Sequence, residues 1–425
     1  MPTALPDVDV VVVGAGLAGL GAATALRDAG RSALVLEASG RIGGRAWTTH
    51  PAELGGVWFD MGALWLHNAE TNPLVPIARA AGETLLRSDE LRVERTFVGT
   101  REATEDEYAD YAGAWSRFED RAAAILRTRN DAPLADVARS MPADPWAITV
   151  ETWEGPIICC ASADEFSARD WLNNVLSGSN LVPQGGIGGF VERRLGEGLD
   201  IRLATPVTRI VWDGGGVRAE TSGGTVTARS AIVTVSTGVL GAGTIRFDPP
   251  LPAATKAAIA ALPMGLAVKV ALRATGADRL GLPLHCSVDR QVKRSGDPTM
   301  GFQCWPYKRD YVQGWVGGPA AWELARAGQP AAVDFALGQL RSLFGSRVDR
   351  LFAGGSHFMT GWDADPFVRG AYSFVRPGDA GARVAMGQPL ADGHLLFAGE
   401  ACHTGMAGTV AGAWISGQDA ARIAA

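Results

Sequence analysis

One lysine stands out among the residues that could do chemistry. Four of the 39 basic residues are lysines, and one of them, Lys269, lies in the apolar run 266–272. If this run is a strand, Lys269 shares one face with two alanines, which leave room for a ring or a water, while the opposite face is aliphatic. Burying an ammonium without a partner is unfavourable. Lys269 therefore either serves a buried site or lies on an edge strand from which its ammonium reaches solvent.

A glycine-rich turn near the N-terminus has the spacing of a nucleotide-binding site. The β-branched run 9–13 precedes the turn GAGLAG at 14–19, helical composition follows over 20–29, and a second strand ends at Glu37. Such glycines let a helix N-terminus approach a pyrophosphate closely. An acid at the position of Glu37 can bind ribose hydroxyls and would repel the 2′-phosphate of NADP. An ordinary glycine-rich turn is the alternative.

Two further segments indicate which dinucleotide this is. Residues 40–45 read GRIGGR, in which arginines beside a diglycine turn can bind phosphate. Near the other end of the chain, the strand pattern 395–397 runs into Gly399 and Glu400, and residues 408–413 begin the last helix. A second nucleotide-contacting region so far from the first is typical of FAD and not of NAD. The sequence therefore predicts FAD.

Composition excludes several classes of protein. With 47% hydrophobic and 20% charged residues, the chain is globular, and a net charge of −6 without a basic run argues against a nucleic-acid partner. Five cysteines without a CxxC pair predict neither a disulfide framework nor a metal site, and we expect a reducing, cytoplasmic location. The uncharged apolar stretch at residues 10–26 is too short and glycine-rich for a membrane span.

The elements that must position these residues form two interwoven domains. Nucleotide-type features lie at both ends and in the middle of the chain, whereas residues 72–179 have a helical pattern. The predicted fold is α/β (α+β), with a Rossmann-like FAD-binding domain and a mixed-sheet plus helical substrate-binding domain. The FAD-binding domain comprises residues 1–71, 180–262 and 388–425. The substrate-binding domain comprises residues 72–179 and 263–387.

The whole set of motifs resembles the flavin-containing amine oxidase family, which includes monoamine oxidases, polyamine oxidases, flavin histone demethylases and related L-amino-acid oxidases. The resemblance covers nearly the whole chain. Its motifs are GAGLAGL, GRIGGR with Thr48, Asp60–Ala63, Pro206–Val207, Thr234–Val235, Met264–Gly265 with Lys269, Trp362–Ser373, Phe397–Glu400 and Thr409–Ala413. A departure is Ser39, where the family commonly has an arginine.

The resemblance implies an enzyme that removes a hydride from the carbon next to an amine nitrogen. Flavin N5 accepts the hydride, the imine hydrolyses to a carbonyl compound, and O2 is reduced to H2O2. The implied partners are a small-molecule amine and O2, and a homodimer is left open. The implied FAD contacts are Gly14, Gly16, Gly19, Glu37, Ala38, Arg41, Gly43, Gly44, Arg45, Gly62, Ala63, Leu64, Trp65, Val207, Trp362, Gly399, Glu400, Thr409 and Val410.

The resemblance also implies the catalytic residues. Lys269 matches the lysine that holds a water beside flavin N5, and Tyr372 matches an aromatic residue that flanks the flavin. Many members have a second aromatic residue where this chain has Thr409, so a bulkier substrate or a residue from elsewhere would complete the site. His67 either contacts substrate, as in polyamine-oxidising members, or is structural. Trp305 either lines the substrate pocket or belongs to the core.

Two alternative functions remain at this stage. One is an L-amino-acid oxidase or a C–N oxidase of a specialised metabolite on the same fold. L-amino-acid oxidases commonly place an arginine at the position of Trp65 to bind the substrate carboxylate, and its absence disfavours that activity. A non-catalytic FAD-binding protein is the alternative of another class, and Lys269 argues against it.

The resemblance predicts how the cofactor is attached. Ala371 occupies the position where monoamine oxidases have a cysteine bonded to the flavin, so no thioether can form there. We therefore expect FAD to be held non-covalently. Acid denaturation and filtration of the yellow protein should leave the colour in the filtrate, and colour retained by the polypeptide would contradict this expectation.

Overall fold

The computed structural model of the chain describes residues 7–212 and 215–425, so residues 1–6 of the first predicted segment lie outside the description. The strands are β1 (Val8–Val13), β2 (Ala33–Leu36), β3 (Thr48–Thr49), β4 (Phe59–Asp60), β5 (Leu85–Arg87), β6 (Val93–Val98), β7 (Arg101–Glu102), β8 (Leu181–Pro183), β9 (Ile201–Arg202), β10 (Val207–Trp212), β11 (Val217–Thr221), β12 (Gly224–Val233), β13 (Arg246–Asp248), β14 (Ala267–Arg273), β15 (Cys286–Arg290), β16 (Gly301–Cys304), β17 (Tyr311–Gly317), β18 (His357–Met359) and β19 (Leu395–Phe397). The α-helices are α1 (Leu17–Asp28), α2 (Leu74–Ala80), α3 (Ser88–Leu91), α4 (Glu105–Leu126), α5 (Ala135–Arg139), α6 (Ala147–Thr152), α7 (Ala168–Asn173), α8 (Ile187–Phe190), α9 (Thr237–Gly241), α10 (Ala253–Ala260), α11 (Gly318–Ala327), α12 (Gln329–Phe344), α13 (Arg347–Phe352), α14 (Ala382–Met386) and α15 (Val410–Ala424). Trp153–Ile158 and Val191–Leu195 are π-helical.

The first sheet is buried on both faces. Its strands run in the order β13–β10–β11–β12–β1–β2–β9, and β19 also pairs with β12. Pairing is parallel from β9 through β2 and β1 to β12 and β19. Along β1, Val10 and Val12 pack in a cluster with α1 and α15, while Val11 and Val13 pack on the other side. A continuous β-branched run satisfies both faces at once, as in other sheets covered on two sides.

The second sheet has two faces of different character. Its order is β18–β14–β17–β16–β15–β6–β7. Val268, Val270 and Leu272 of β14 lie in the core cluster that also contains residues of α11 and α12. Because side chains alternate along a strand, Lys269 lies on the opposite face. The strands of the first sheet come from 7–71, 180–262 and 388–425, and those of the second from 72–179 and 263–387. The β5–β8 ladder joins the two groups of segments, and the domain boundaries themselves stay a prediction.

The structure differs from the helical prediction for residues 72–179. Strand β5 pairs with β8, and β6 pairs in parallel with β15. The partner of β6 lies far along the chain, so the local pattern around Val93–Val98 carried no signal of it. Much of the rest is helical as predicted. Helix α4, for example, begins with a capping box in which the Thr104 side chain accepts from the backbone N–H of Glu107 and the Glu107 carboxylate accepts from that of Thr104.

Two local expectations are corrected. Helix α1 begins at Leu17 rather than Leu20, because the glycine turn itself enters the helix. Strand β14 lies between β17 and β18, so the edge-strand alternative for Lys269 is wrong.

The structure also provides observations on disulfides, membrane spans and metal sites. The five cysteines are free thiols. Across the described ranges, no helix is both long enough and apolar enough to cross a membrane. The same residues contain no group of three or more His, Cys, Asp or Glu side chains arranged to hold a metal ion.

The close packing of α1 against α15 leaves no room for a side chain at Gly417. A β-carbon at Gly417 would lie 1.9 Å from the carbonyl oxygen of Ala18, whereas one at Gly338 on α12 would meet nothing within 4 Å. We expect Gly417→Ala to lower the free energy of unfolding by about 1–3 kcal/mol through overpacking. Gly338→Ala should instead raise it by about 0.5–1 kcal/mol, because alanine favours the helix. Urea unfolding followed by circular dichroism checks both, and equal effects would contradict the steric argument.

Candidate active site

A cavity of about 940 Å³ lies where the two sheets meet. Residues that follow β1, β2, β12 and β19 line one end, and Ala267 and Lys269 of β14 line the other. The carboxyl ends of parallel strands are where ligands bind in open α/β sheets. The cavity thus joins a nucleotide-type crevice to the face of the second sheet that carries Lys269.

The N-terminus of α1 is open to this cavity. Its N-cap Gly16 has no side-chain cap, and the first turn contains no acid. A β-carbon at Gly16 would meet nothing within 4 Å, and at Gly14, which has a φ of 103°, it would lie 2.8 Å from Thr234 Oγ1. Free N–H groups at a helix N-terminus, with space in front of them, suit a pyrophosphate. The residues present therefore fit a dinucleotide.

Gly19 has a different role from the one predicted. Among the described residues that line the cavity, Gly14 and Gly16 are present but Gly19 is not. A β-carbon at Gly19 would lie 1.8 Å from the carbonyl oxygen of Gly14. Gly19 thus permits the close approach of helix and turn, and the expectation that it contacts the cofactor is corrected.

Glu37 ends β2 at the cavity with its carboxylate already oriented. One carboxylate oxygen accepts from the backbone N–H of Ala15 at 2.7 Å, and the other accepts from the backbone and hydroxyl of Ser39 at 2.8 and 2.7 Å. The oxygen that accepts from Ala15 retains acceptor capacity for a ribose hydroxyl. Ser39, the departure from the family pattern, therefore holds this acid in place. Ala38 lines the cavity beside it.

The GRIGGR segment curves around Arg41. The Arg41 guanidinium donates to the carbonyl of Gly44 at 2.7 Å and lies 4.4 Å from the ring centroid of Trp47. Gly43 and Gly44 have φ values of 95° and 56°, which glycine adopts without strain. Arg41, Gly43 and Gly44 all line the cavity. Burial lowers the pKa of Arg41, with nearby acids, Asp365 first, opposing the shift.

Arg45 joins the two ends of the chain. Its guanidinium donates to Glu400 at 2.9 Å and to the carbonyl of Ala371 at 2.7 Å. Glu400 also accepts from the backbone and hydroxyl of Ser373 and from the backbone of Gly408. Burial opposes ionisation of Glu400, but the charges of Arg45 and Arg383 and these hydrogen bonds outweigh it and hold its pKa below the usual value.

Lys269 lies where the nucleotide end meets the rest of the cavity. Its side chain is 2% exposed, and its ammonium donates to the backbone carbonyls of Asp60 at 2.7 Å and Gly62 at 2.6 Å. An ammonium has three N–H donors, so one remains for the cavity. Burial lowers the pKa of Lys269 to about 8, against the opposing charge of Asp60. Ala63, Leu64 and Trp65 continue along the same wall.

The buried Asp60 carboxylate stabilises the Lys269 ammonium through its negative charge. It accepts from the hydroxyl of Thr48 at 2.5 Å and is fully buried. Burial raises the pKa of Asp60 to about 6, although the Thr48 hydrogen bond, the charge of Lys269 and the backbone N–H groups of Gly188 and Ile187 lower it.

Two aromatic side chains near Lys269 are fixed by one π-helical segment. The Tyr372 hydroxyl donates to the carbonyl of Ile158, and the Trp315 indole donates to that of Ile157 at 2.7 Å. Both rings pack against the cluster formed by Cys160, Ala267 and Ala371. The Trp315 centroid lies 5.1 Å from the Lys269 nitrogen. Trp315 thus supplies an aromatic wall that the sequence left unassigned.

Thr409 lines the cavity beside Val410 and also has a structural role. It is the N-cap of α15, with its hydroxyl accepting from the backbone N–H of Gly412 at 2.9 Å. A β-carbon at the neighbouring Gly408 would lie 3.4 Å from the Tyr372 ring.

His67 lines the cavity as a neutral side chain. Its Nδ1 lies 2.6 Å from Oδ1 of Asn180, and the other end of this amide donates to Asp89. Nδ1 therefore carries the proton, and Nε2 remains an acceptor. Burial lowers the pKa of His67, against its hydrogen bond to Asn180. The Trp65 indole is engaged with the hydroxyl of Ser88 at 3.0 Å.

The other predicted residues divide into two groups. Val207, Trp362 and Gly399 line the cavity, and the Trp362 indole donates to the carbonyl of Met61 at 3.0 Å. Trp305 is absent from the described residues that do so: it is fully buried, with the Arg279 guanidinium 4.6 Å from its ring. Its placement in the substrate pocket is corrected.

Sequence reasoning also missed Glu154, an acid in the π-helical segment. It lines the cavity and accepts from the Trp171 indole at 2.8 Å. Burial raises the pKa of Glu154 to about 7, against this hydrogen bond. Asp164, by contrast, is exposed and pairs with Arg139. No local motif distinguishes the two acids.

The chain matches a family model described as flavin containing amine oxidoreductase over residues 17–145 and 122–425. It is 28% identical over 462 residues to human lysine-specific histone demethylase 2, covering 100% of this chain and 54% of that protein. It is also 28% identical over 454 residues to polyamine oxidase 4 of Oryza sativa subsp. japonica, covering 97% and 87%. The chain therefore spans about half the length of the demethylase.

Solved structures show the same fold. A double mutant of putrescine oxidase has a TM-score of 0.81 and 21% identity, and wild-type putrescine oxidase bound to putrescine has 0.79 and 22%; each comparison covers 98% of both chains. The predicted α/β fold class and the family resemblance are confirmed.

The Glu400 network predicts a pH-dependent contribution to stability. Because its folded-state pKa is depressed, ionised Glu400 stabilises the protein above its ordinary value of 4.5, and this contribution is lost as pH falls through the folded value. Glu400→Gln should lower the free energy of unfolding at pH 7 by about 2 kcal/mol. The difference from wild type should shrink in acid, as measured by urea unfolding at several pH values. Exposed Glu165→Gln is the matched control, and a pH-independent difference would contradict the assignment.

Proposed function

The chain belongs to the flavin-containing amine oxidoreductase family, and from this premise we propose that it is an amine oxidase that holds FAD non-covalently. The observation that carries the proposal is the buried Lys269 ammonium, with one free N–H, at the junction of the nucleotide crevice and the rest of the cavity. When bound, FAD takes a hydride from the carbon next to the amine nitrogen and passes the electrons to O2, giving H2O2.

The chain offers a contact for each part of this cofactor. The N-terminus of α1 would hold the pyrophosphate, and Glu37 would hold a ribose. Arg45 and Glu400 would fix the segments that meet at the ring end, and the backbone from Gly62 to Trp65 would pass beside the ring.

The remaining cavity suits a neutral amine. Tyr372 and Trp315 supply apolar walls that orient the substrate and exclude water. At neutral pH, Lys269 with its pKa of about 8 is mostly an ammonium, and its free N–H can hold a water or stabilise the negative charge that develops as O2 is reduced. His67 offers an acceptor nitrogen to the same space.

The cavity is less suited to an α-carboxylate. The described arginines that line it already have acidic or carbonyl partners: Arg41 with Gly44, Arg45 with Glu400, Arg92 with Glu94, and Arg383 with Asp170. The relatives named polyamine oxidase and putrescine oxidase support an amine substrate over an L-amino acid. The Lys269 site supports catalysis over mere cofactor binding.

A substrate panel tests this function. Purified yellow protein should release H2O2 with simple or polyvalent amines, with kcat/KM about 100-fold or more above that for free L-amino acids, because a buried carboxylate without a partner is unfavourable. An L-amino acid among the best substrates would overturn the proposal in favour of an amino-acid oxidase. A yellow protein that oxidises nothing on the panel would support the non-catalytic alternative.

Lys269→Met tests the central residue. The change keeps most of the volume of the side chain but removes its charge. The variant should still purify yellow, because the proposed FAD contacts at Gly14, Gly16 and Glu37 do not involve Lys269. Oxidation of the reduced protein by O2 should slow by about 100-fold, equivalent to about 2.7 kcal/mol. Anaerobic reduction by the amine should fall less, because it needs no proton from Lys269. Stopped-flow absorbance measures both rates, with exposed Lys256→Met as the control. Oxidation by O2 at the wild-type rate would show that Lys269 is structural.

A further inference from the structure

The cavity-facing side of the second sheet carries a row of uncharged polar residues that no step above uses. Ser287 of β15 lies directly opposite Gln303 of β16, and Gln303 lies directly opposite Gln313 of β17. Directly opposed side chains in an antiparallel pair are close neighbours on one face. All three residues line the cavity, and we call them the polar row.

The alternate residues of the same strands show that this face is distinct. Val288, Phe302 and Val312 lie in the apolar core on the other side of the sheet. Gln313 is 7% exposed. Within residues 7–212 and 215–425, neither carboxamide of the polar row has a protein hydrogen-bond partner. Gln303 is half-buried, and among the described residues neither glutamine has polar atoms that are both fully buried and unpartnered, so both carboxamides are accessible from the cavity and free to bind a ligand there.

The polar row lies within reach of a substrate held at Lys269. Lys269 pairs with Trp315, and Gln313 lies two residues before Trp315 on the same strand, opposite Ala271. From strand spacing and rise, the Cα atoms of Gln313 and Gln303 lie about 8 Å and about 12 Å from that of Lys269. A chain of about six atoms spans the nearer distance.

The polar row is electrically neutral, and the acids nearest to it have partners. Glu94, opposite Ser287, pairs with Arg92 at 3.3 Å. Asp289 accepts from the Tyr111 hydroxyl at 3.1 Å, and burial raises its pKa to about 6, against hydrogen bonds from Thr96 and Tyr111. A carboxamide presents both donors and acceptors, which complement an amide or hydroxyl better than a second ammonium.

We propose that the polar row binds an amide or hydroxyl group carried by the substrate about six atoms from the carbon that is oxidised. The substrate class is then an amine with a neutral hydrogen-bonding tail, rather than a plain alkylamine or a diamine. This inference rests on the proposed amine oxidation, since that reaction places the amine at Lys269.

Three amines of equal chain length test it: hexylamine, hexamethylenediamine and ε-aminocaproamide. The amide should have a kcat/KM about tenfold above those of the other two, mainly through KM, because it satisfies the carboxamides. Gln303→Leu and Gln313→Leu should each remove most of this preference while changing kcat/KM for hexylamine less than about twofold. Exposed Gln388→Leu is the matched control and should keep the preference. Gln313→Glu should move the preference towards the diamine.

A binding measurement makes the result independent of turnover. Hexanamide lacks the amine and cannot be oxidised, so calorimetry on the FAD-bound protein reports the polar row alone. Binding to wild type should weaken about tenfold or more in each leucine variant. If a leucine variant does not purify yellow, Gln303→Asn, which keeps the amide but shortens its reach, takes its place with the same expectation.

The outcomes separate this inference from the proposed function. Oxidation of all three amines with equal kcat/KM, unchanged by the leucine variants, would overturn the inference and leave the amine oxidase intact. A diamine preference in wild type that the leucine variants abolish would also overturn it, because the polar row would then hold an ammonium. Failure to oxidise any amine would overturn the proposed function, and hexanamide binding that depends on both glutamines would still support the polar row as an amide site.

Discussion

The ammonium of Lys269 is the constraint on which the rest of the site depends. It lies on the second sheet but donates to the carbonyls of Asp60, the last residue of β4, and Gly62 just beyond it, and β4 lies outside that sheet. A buried ammonium is tolerated only where such acceptors are fixed in place. The same contact therefore holds the Gly62–Trp65 segment against β14 and brings the nucleotide crevice into line with the rest of the cavity.

A second buried network fixes the wall of the cavity that carries Tyr372. Glu400, Ser373, Arg383 and Asp170 are linked by hydrogen bonds and ion pairs, and Arg45 completes the chain of charges. These residues come from distant parts of the sequence, so the segment that carries Tyr372 is held from both sides. Removing one partner of a buried ion pair is strongly destabilising because the other charge is left unpaired. The arrangement is therefore cooperative.

The sequence was most informative about groups of residues that lie close together along the chain. The glycine turn, Glu37 and the GRIGGR segment could be identified because a βα turn positions its own ligands within a few residues. Strand β6 and Trp315 could not, because their surroundings depend on pairing with residues far along the chain. Trp305 follows β16 in a left-handed conformation and enters the core, whereas Trp315 lies on β17 and lines the cavity, and this difference depends on the tertiary structure. The polar row was missed for the same reason, since its three members lie on three strands.

The scarcity of lysines affects how readily a carbonyl product could modify the protein. Carbonyl products condense with primary amines to form Schiff bases, whereas the guanidinium of arginine stays protonated and unreactive. The chain carries 39 − 4 = 35 arginines, and its exposed lysines are Lys256, Lys293 and Lys308. If the proposed oxidation released an aldehyde, the surface of the protein would thus present few amino groups to that product.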